Sequence, residues 1–347
     1  MTLTAGISGF CSSPTMSSTQ RVPALWFSDG NIVLQAGNRQ FKVFQGILGA
    51  RSPVFRDMLA IPQPEDAERI DGCPVVQLPD GPEETTSFLS AIYDSSFFPS
   101  YPKPVDLQVI LGCLSLSHKY DVPDLRQRAS EHLAYGCPTT LAERDALVTS
   151  DKPGSWDVNH TRIGDLMKII RVSRVCATWA LPSVFLTLSA HIATSPSAVE
   201  FVVEAKELEK EPFMDDGKDL SFSRDESNAF LEGHSAVAQR AAAGLLGVYA
   251  NPALIVGCTD ELRCALLRLA TFQVMHETLQ RSAVVNGLID VQTASTTSKL
   301  CATCAGVVER QAISIREAFW EQLPILFGLP SWAELEAEKR AALGTQG

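Results

Sequence analysis

The chain has 347 residues and a formal net charge of −11, with 45% hydrophobic and 20% charged residues. That length suits two or three domains with a sizeable core, and the composition is that of an ordinary globular protein. The acidic balance, without any cluster of five or more Lys and Arg, speaks against a nucleic-acid surface.

Residues 1–20 are rich in Ser, Thr and Gly, show no hydrophobic period, and read as disordered. There is no basic stretch ahead of Ala5-Gly6-Ile7, so a secretory signal is not expected. Period-two alternation follows at Ile32 and Leu34, then at Phe41 and Val43, with Ala36-Gly37-Asn38 between; this predicts a β-hairpin. Ile47, Leu48, Val54, Phe55, Met58 and Leu59 then recur at helical spacing. Ser52 precedes Pro53, an N-cap followed by proline at the first helical position. A polar loop at 62–74 precedes a third strand, and a further helix begins at residues 106–111 with Asp106 as its cap.

These residues, in this order, resemble a BTB/POZ domain, in particular the BTB proteins of mushroom-forming fungi. The family pattern F-x-V-H-[RK]-x-[IL]-L, then A-R-S-x-x-F-x-x-M-L, stands here as Phe41-Lys42-Val43-Phe44-Gln45-Gly46-Ile47-Leu48 and Ala50-Arg51-Ser52-Pro53-Val54-Phe55-Arg56-Asp57-Met58-Leu59. A-x-K-Y-x-V-x-x-L appears as Ser117-His118-Lys119-Tyr120-Asp121-Val122-Pro123-Asp124-Leu125. The family's His-Arg/Lys pair is replaced by Phe44-Gln45, which removes a charge at that place.

Beyond Cys137 the chain reads as a linker over 141–162 and a helical domain over 163–333, followed by a charged, frayed tail at 334–347. Residues 175–199 carry no charged side chain. Their many Ser and Thr, with Pro182 and Pro196, favour buried helices over a membrane span. Residues 200–235 hold eleven acidic and four basic residues, a surplus of seven out of the net −11, and read as a solvated acidic loop that Phe213, Phe222 and Phe230 pin to the surface. Thr259-Asp260-Glu261-Leu262 starts another helix, and residues 305–319 form a last long one. Leu323-Pro324-Ile325-Leu326-Phe327-Gly328-Leu329-Pro330-Ser331-Trp332 resembles the closing motif L-P-x-x-F-x-L-P-x-W of the same fungal proteins.

The expected fold class is therefore α+β. A BTB/POZ-like domain over 21–140, a small β-sheet flanked by helices, precedes a mostly α-helical C-terminal domain. G-x-S-x-G, P-loop, G-x-G-x-x-G and H-E-x-x-H patterns are absent, so no catalytic residue or organic cofactor is assigned. Nine scattered cysteines suit a reducing compartment and an intracellular, cytoplasmic or nuclear location. One cysteine group is a candidate zinc ligand set: Cys301-x-x-Cys304 with Cys258 and Cys264 upstream. On one continuous helix Cys258 and Cys264 would lie on different faces, about 120° apart around the axis, so the site needs a bend at Thr259-Asp260.

The resemblance implies a non-enzymatic protein-interaction module that self-associates, with protein partners and no nucleic acid or membrane. For some BTB proteins it also implies adaptor service to a cullin-type ubiquitin ligase, with the helical remainder choosing the client. Contacts are expected on residues 50–59 and 106–125, with Ser52, Phe55, Met58, Leu59 and Tyr120 as partner-binding candidates. Two alternatives stand beside it: a self-associating scaffold or transcription co-regulator, and a zinc- or cysteine-dependent enzyme built on the four cysteines.

Overall fold

A computed structural model describes residues 19–61, 68–149, 156–158, 161–194, 224–249, 255–281 and 299–345. Five strands form one sheet in the order β1-β3-β2-β5-β4: β1 (Gln20–Trp26), β2 (Ile32–Ala36), β3 (Arg39–Val43), β4 (Arg69–Ile70) and β5 (Cys73–Leu78). The β2–β3 hairpin forms as the alternation predicts, with Ala36 opposite Arg39 and Gly37 at φ +52°. That left-handed backbone is costly for residues with a Cβ, which is why a glycine sits there. Strands β2 and β5 pair in parallel, as do β1 and β3. Ile32, Leu34, Ala36, Phe41 and Val43 join the main core. On the opposite face Val33 packs with Cys73, Val75, Trp26 and Ile70 in a smaller cluster.

Strand β1 goes beyond the sequence expectation, because Pro23 interrupts any β pattern. An edge strand tolerates a proline, whose missing N–H costs no ladder bond on the open side. Gly30 follows that strand where β3 runs close by. A Cβ there would lie 3.0 Å from the carbonyl oxygen of Lys42, so only glycine fits without a shift.

Helices α1 (Gln45–Arg51) and α2 (Pro53–Leu59) meet at Ser52, whose extended backbone breaks them apart. Its hydroxyl caps α2 by accepting the Phe55 N–H at 3.0 Å. α3 (Pro82–Tyr93), α4 (Leu107–Lys119) and α5 (Pro123–Gly136) complete this half, and Asp106 caps α4 as its position predicts.

The region read as a linker is not one. Residues 141–149 form α6 (Leu141–Thr149), and Trp156 and Val158 are buried. Gly136 makes room for Trp156: a Cβ there would lie 2.6 Å from its ring. Apolar burial and long-range hydrogen bonds, neither visible in local polarity, hold this stretch. Helix α7 (Ile163–Cys176) and α8 (Leu181–Thr194) follow, joined by a 3₁₀ turn at Thr178–Ala180; the break falls at Ala177, ahead of Pro182. Among the described residues no helix is long and apolar enough to cross a membrane.

Of the segment read as an acidic loop, residues 200–223 lie outside the described residues, and Phe213 and Phe222 with them. The rest, 224–235, belongs to α9 (Arg224–Tyr249). Phe230 is not a surface pin but a core residue, 5.5 Å from Phe185 and 5.9 Å from Phe327 between ring centres. α10 (Glu261–Arg281) and α11 (Ala302–Leu326) come next. In the closing motif Leu323, Phe327 and Trp332 are buried, Gly328 turns the chain at φ +68°, and Ser331 caps the last helix with a reciprocal Glu334 bond.

That last helix, α12 (Trp332–Ala342), corrects the expectation of a frayed tail. It buries Trp332, Leu335 and Lys339. Trp332 stacks on Trp320 at 5.4 Å and donates its indole N–H to the Trp320 carbonyl at 2.6 Å. One continuous apolar core runs from Leu25 to Leu335, so the strand-bearing half and the helical half are packed together rather than tethered.

Candidate functional site

The α1–α2 corner is built from the inside outward. Ser52 is fully buried and donates its hydroxyl to the carbonyl of Tyr120. Phe55 is likewise buried and stacks on Tyr120, with ring centres 4.3 Å apart. Tyr120 in turn gives its phenol to Asp80, which also pairs with Lys119. Burial first, then the bond to Asp80, pushes the Tyr120 phenol well up, so it stays protonated.

Of the expected contact set, Ser52, Phe55 and Tyr120 are buried core residues. Helical periodicity picks out the apolar face, and a domain spends that face on its own interior first. Met58 and Leu59 are half-buried against the core. What the corner exposes are Ile47 at 42% and Val54 at 39%, which the helical spacing grouped with the buried residues, and Ile61 at 64%. Gln45, Arg51, Arg56 and Asp57 flank them in solvent.

The Phe44-Gln45 departure has a structural use. Phe44 packs on Phe27 at 5.2 Å, and Tyr93 donates its hydroxyl to the Phe44 carbonyl at 2.9 Å. An aromatic trio therefore occupies the place of a charged pair. Gln45 stays exposed, its N–H capped by Asn31 at 2.9 Å.

Far along the chain, the four candidate cysteines come together. Cys258 closes a turn in which its N–H bonds the Ile255 carbonyl at 3.0 Å. The chain bends at Thr259-Asp260, as the site requires, and Asp260 caps α10 through the Arg263 N–H at 3.2 Å. Cys264 lies in the first turn of α10, Cys301 is the N-cap of α11, and Cys304 follows in its first turn. Their sulfurs all lie within 4.8 Å of one another. N–H groups of Cys304, then of Thr259, hold the Cys301 thiol down to about 6, whereas desolvation pushes Cys304 up. Among the described residues no other three His, Cys, Asp or Glu side chains converge in this way. A groove of about 330 Å³ between α9 and α11 is lined by Arg240, Ala243, Ile315, Ala318, Phe319 and Gln322 and brings no acid–base pair together.

Compared with known proteins, residues 27–136 match the family model of the BTB/POZ domain. No curated protein and no solved structure matches the chain.

Proposed function

We propose, for a chain that carries a BTB/POZ domain over residues 27–136, that it works by binding proteins and that its first partner is a second copy of itself. BTB/POZ domains are interaction modules. In this reading the protein is not an enzyme, and the α1–α2 corner is its contact face.

The observation that carries the reading is the exposure of Ile47, Val54 and Ile61 on a corner whose other large apolar side chains are buried or half-buried. A pairing face needs uncovered apolar area at its centre with polar groups around it. Ile47, Val54 and Ile61, ringed by Gln45, Arg51, Arg56 and Asp57, supply both. The sheet edge at β1 is a poorer candidate, since Pro23 removes a donor there and the Arg21 guanidinium covers Trp26 at 4.3 Å.

The finer role we propose is adaptor service to a cullin-type ubiquitin ligase, with the helical half presenting the client. The shared core supports this, because a client bound to the helices would be held at a fixed distance from the BTB face. The competing role is a self-associating scaffold or transcription co-regulator without a ligase.

The test is light scattering on the purified full chain, with the double variant Ile47→Asp, Val54→Asp beside it. A wild-type dimer that becomes a folded monomer in the variant supports the reading, and a monomeric wild type at micromolar concentration ends it. Capture of a cullin by the wild type and not by the variant separates the adaptor from the scaffold.

A further inference from the structure

Four sulfurs that bind one ion at about 2.3 Å in a tetrahedron lie about 3.8 Å from one another. The Cys258 and Cys301 sulfurs are 3.7 Å apart, and the whole quartet fits within 4.8 Å. The space among them therefore has the size of a single ion. A polynuclear iron–sulfur core would hold its four thiolates further apart. A disulfide needs about 2.05 Å between sulfurs, and the eight described cysteines are all free.

The surroundings suit thiolates. The Cys301 N–H points at the Cys264 sulfur at 3.4 Å, and the Cys304 N–H at the Cys301 sulfur at 3.5 Å. Ligand sulfurs in metal sites are typically oriented by such second partners. Two helices, α10 and α11, begin at the cluster, and helix N-termini favour negative charge. Arg263 and Lys299 lie one and two residues from a ligand in sequence. A tetrathiolate around a divalent ion keeps two negative charges, which these features offset.

We propose that Cys258, Cys264, Cys301 and Cys304 bind one Zn²⁺ in a closed, structural tetrathiolate site that fastens the start of α10 to the start of α11. Four-sulfur tetrahedral coordination selects zinc among the soft-ligand metals without a redox requirement. On binding, every thiol still protonated gives its proton to solvent, each of the four thiolates forms one sulfur–zinc bond, and nothing is oxidised or reduced. With all four positions held by protein, no place remains for water or substrate, so the site is not catalytic. It brackets residues 265–300 and fixes the N-terminal end of α11. The opposite end of α11 carries Phe319, Trp320 and Leu323 into the common core.

The experiment uses the full chain, expressed without a metal-binding tag and exchanged into chelator-treated buffer. Metal is counted by atomic emission and thiols by a colorimetric reagent before and after zinc extraction. The expected result is about one zinc per chain with four thiols shielded until the metal is removed. The double variant Cys301→Ser, Cys304→Ser loses the metal, while Cys176→Ser keeps it. Should the double variant fail to fold, cobalt exchanged into the wild type still decides. A tetrathiolate gives an intense sulfur-to-cobalt charge-transfer band and red-shifted tetrahedral d–d bands. Metal-free protein, a mass lower by two hydrogens from a disulfide, or cobalt bound without the charge-transfer band would each overturn the proposal.

Discussion

Lys339 in α12 places its ammonium 3.0 Å from both carboxylate oxygens of Glu143 in α6, 196 residues earlier. The same ammonium donates to the Thr139 hydroxyl at 2.7 Å and lies 5.9 Å from the centre of the Trp179 ring. The two side chains are unequal: Lys339 is 7% exposed and Glu143 46%. Removing one is therefore not the same as removing the other. Glu143→Ala strands a buried ammonium on one hydroxyl and is expected to cost about 3 kcal/mol. Lys339→Met fills similar space and leaves a carboxylate that water can reach, for about 1–2 kcal/mol. Urea melts of the two variants check the order, and the reverse order would contradict this account.

The same pair sets a pH dependence. Desolvation opposes the Glu143 charge, but the N–H groups of Thr139 and Thr140 and the Lys339 ammonium outweigh it and hold the carboxyl below its ordinary value of 4.5. A depressed folded-state value means that the stabilisation is present above the unfolded-state value and is lost as pH falls through the folded one. Wild-type stability should therefore fall more steeply than that of Glu143→Gln between about pH 5 and pH 3. Parallel stability curves in that window would show that Glu143 is not the group responsible.

Two close approaches depend on the absence of a side chain. A Cβ at Gly136 would meet the Trp156 ring at 2.6 Å. One at Gly233 in α9 would strike the Phe327 ring and sit 2.8 Å from the Leu326 carbonyl oxygen. Both neighbours are buried, so the surroundings have little room to yield. Gly136→Ala and Gly233→Ala are each expected to lower stability by about 2 kcal/mol, despite alanine's better helix propensity. Thermal unfolding tests this, and an unchanged or raised midpoint would mean that the helices separate easily.

Within the α1–α2 corner, core and face should come apart under mutation. Phe55→Ala empties the stack on Tyr120 and Phe88 and should cost about 3–4 kcal/mol. Ser52→Ala removes a helix cap and the bond to the Tyr120 carbonyl, for about 1–2 kcal/mol. Ile47→Asp, at an exposed site, should leave the melting curve within about 0.5 kcal/mol and act on self-association alone. An Ile47→Asp chain that unfolds as readily as Phe55→Ala would show that this residue belongs to the core.

Much of this was legible in the chain itself. Period-two alternation placed the β2–β3 hairpin, and Ser52-Pro53 and Asp106 marked helix starts that formed there. The motifs around Ser52, Phe55 and Tyr120 resemble those of the BTB/POZ domain, whose family model matches residues 27–136. These signals are local: alternation, capping and turn chemistry act within a few residues, so the order of amino acids is enough to express them. What local order could not express was which apolar residues stay outside, or which distant groups meet. Phe55 and Ile47 look alike as members of one helical stripe, and only packing against Tyr120 buries the first and leaves the second in solvent. Residues 141–149 and 334–342 look like polar linker and tail; Lys339, Glu143 and the stacked Trp320 and Trp332 make them part of the core. The four cysteines were visible as a spacing, but their meeting required a bend at Thr259-Asp260 and two helix starts brought side by side. Burial and long-range pairing are properties of the whole packed chain, and the tertiary structure decided them.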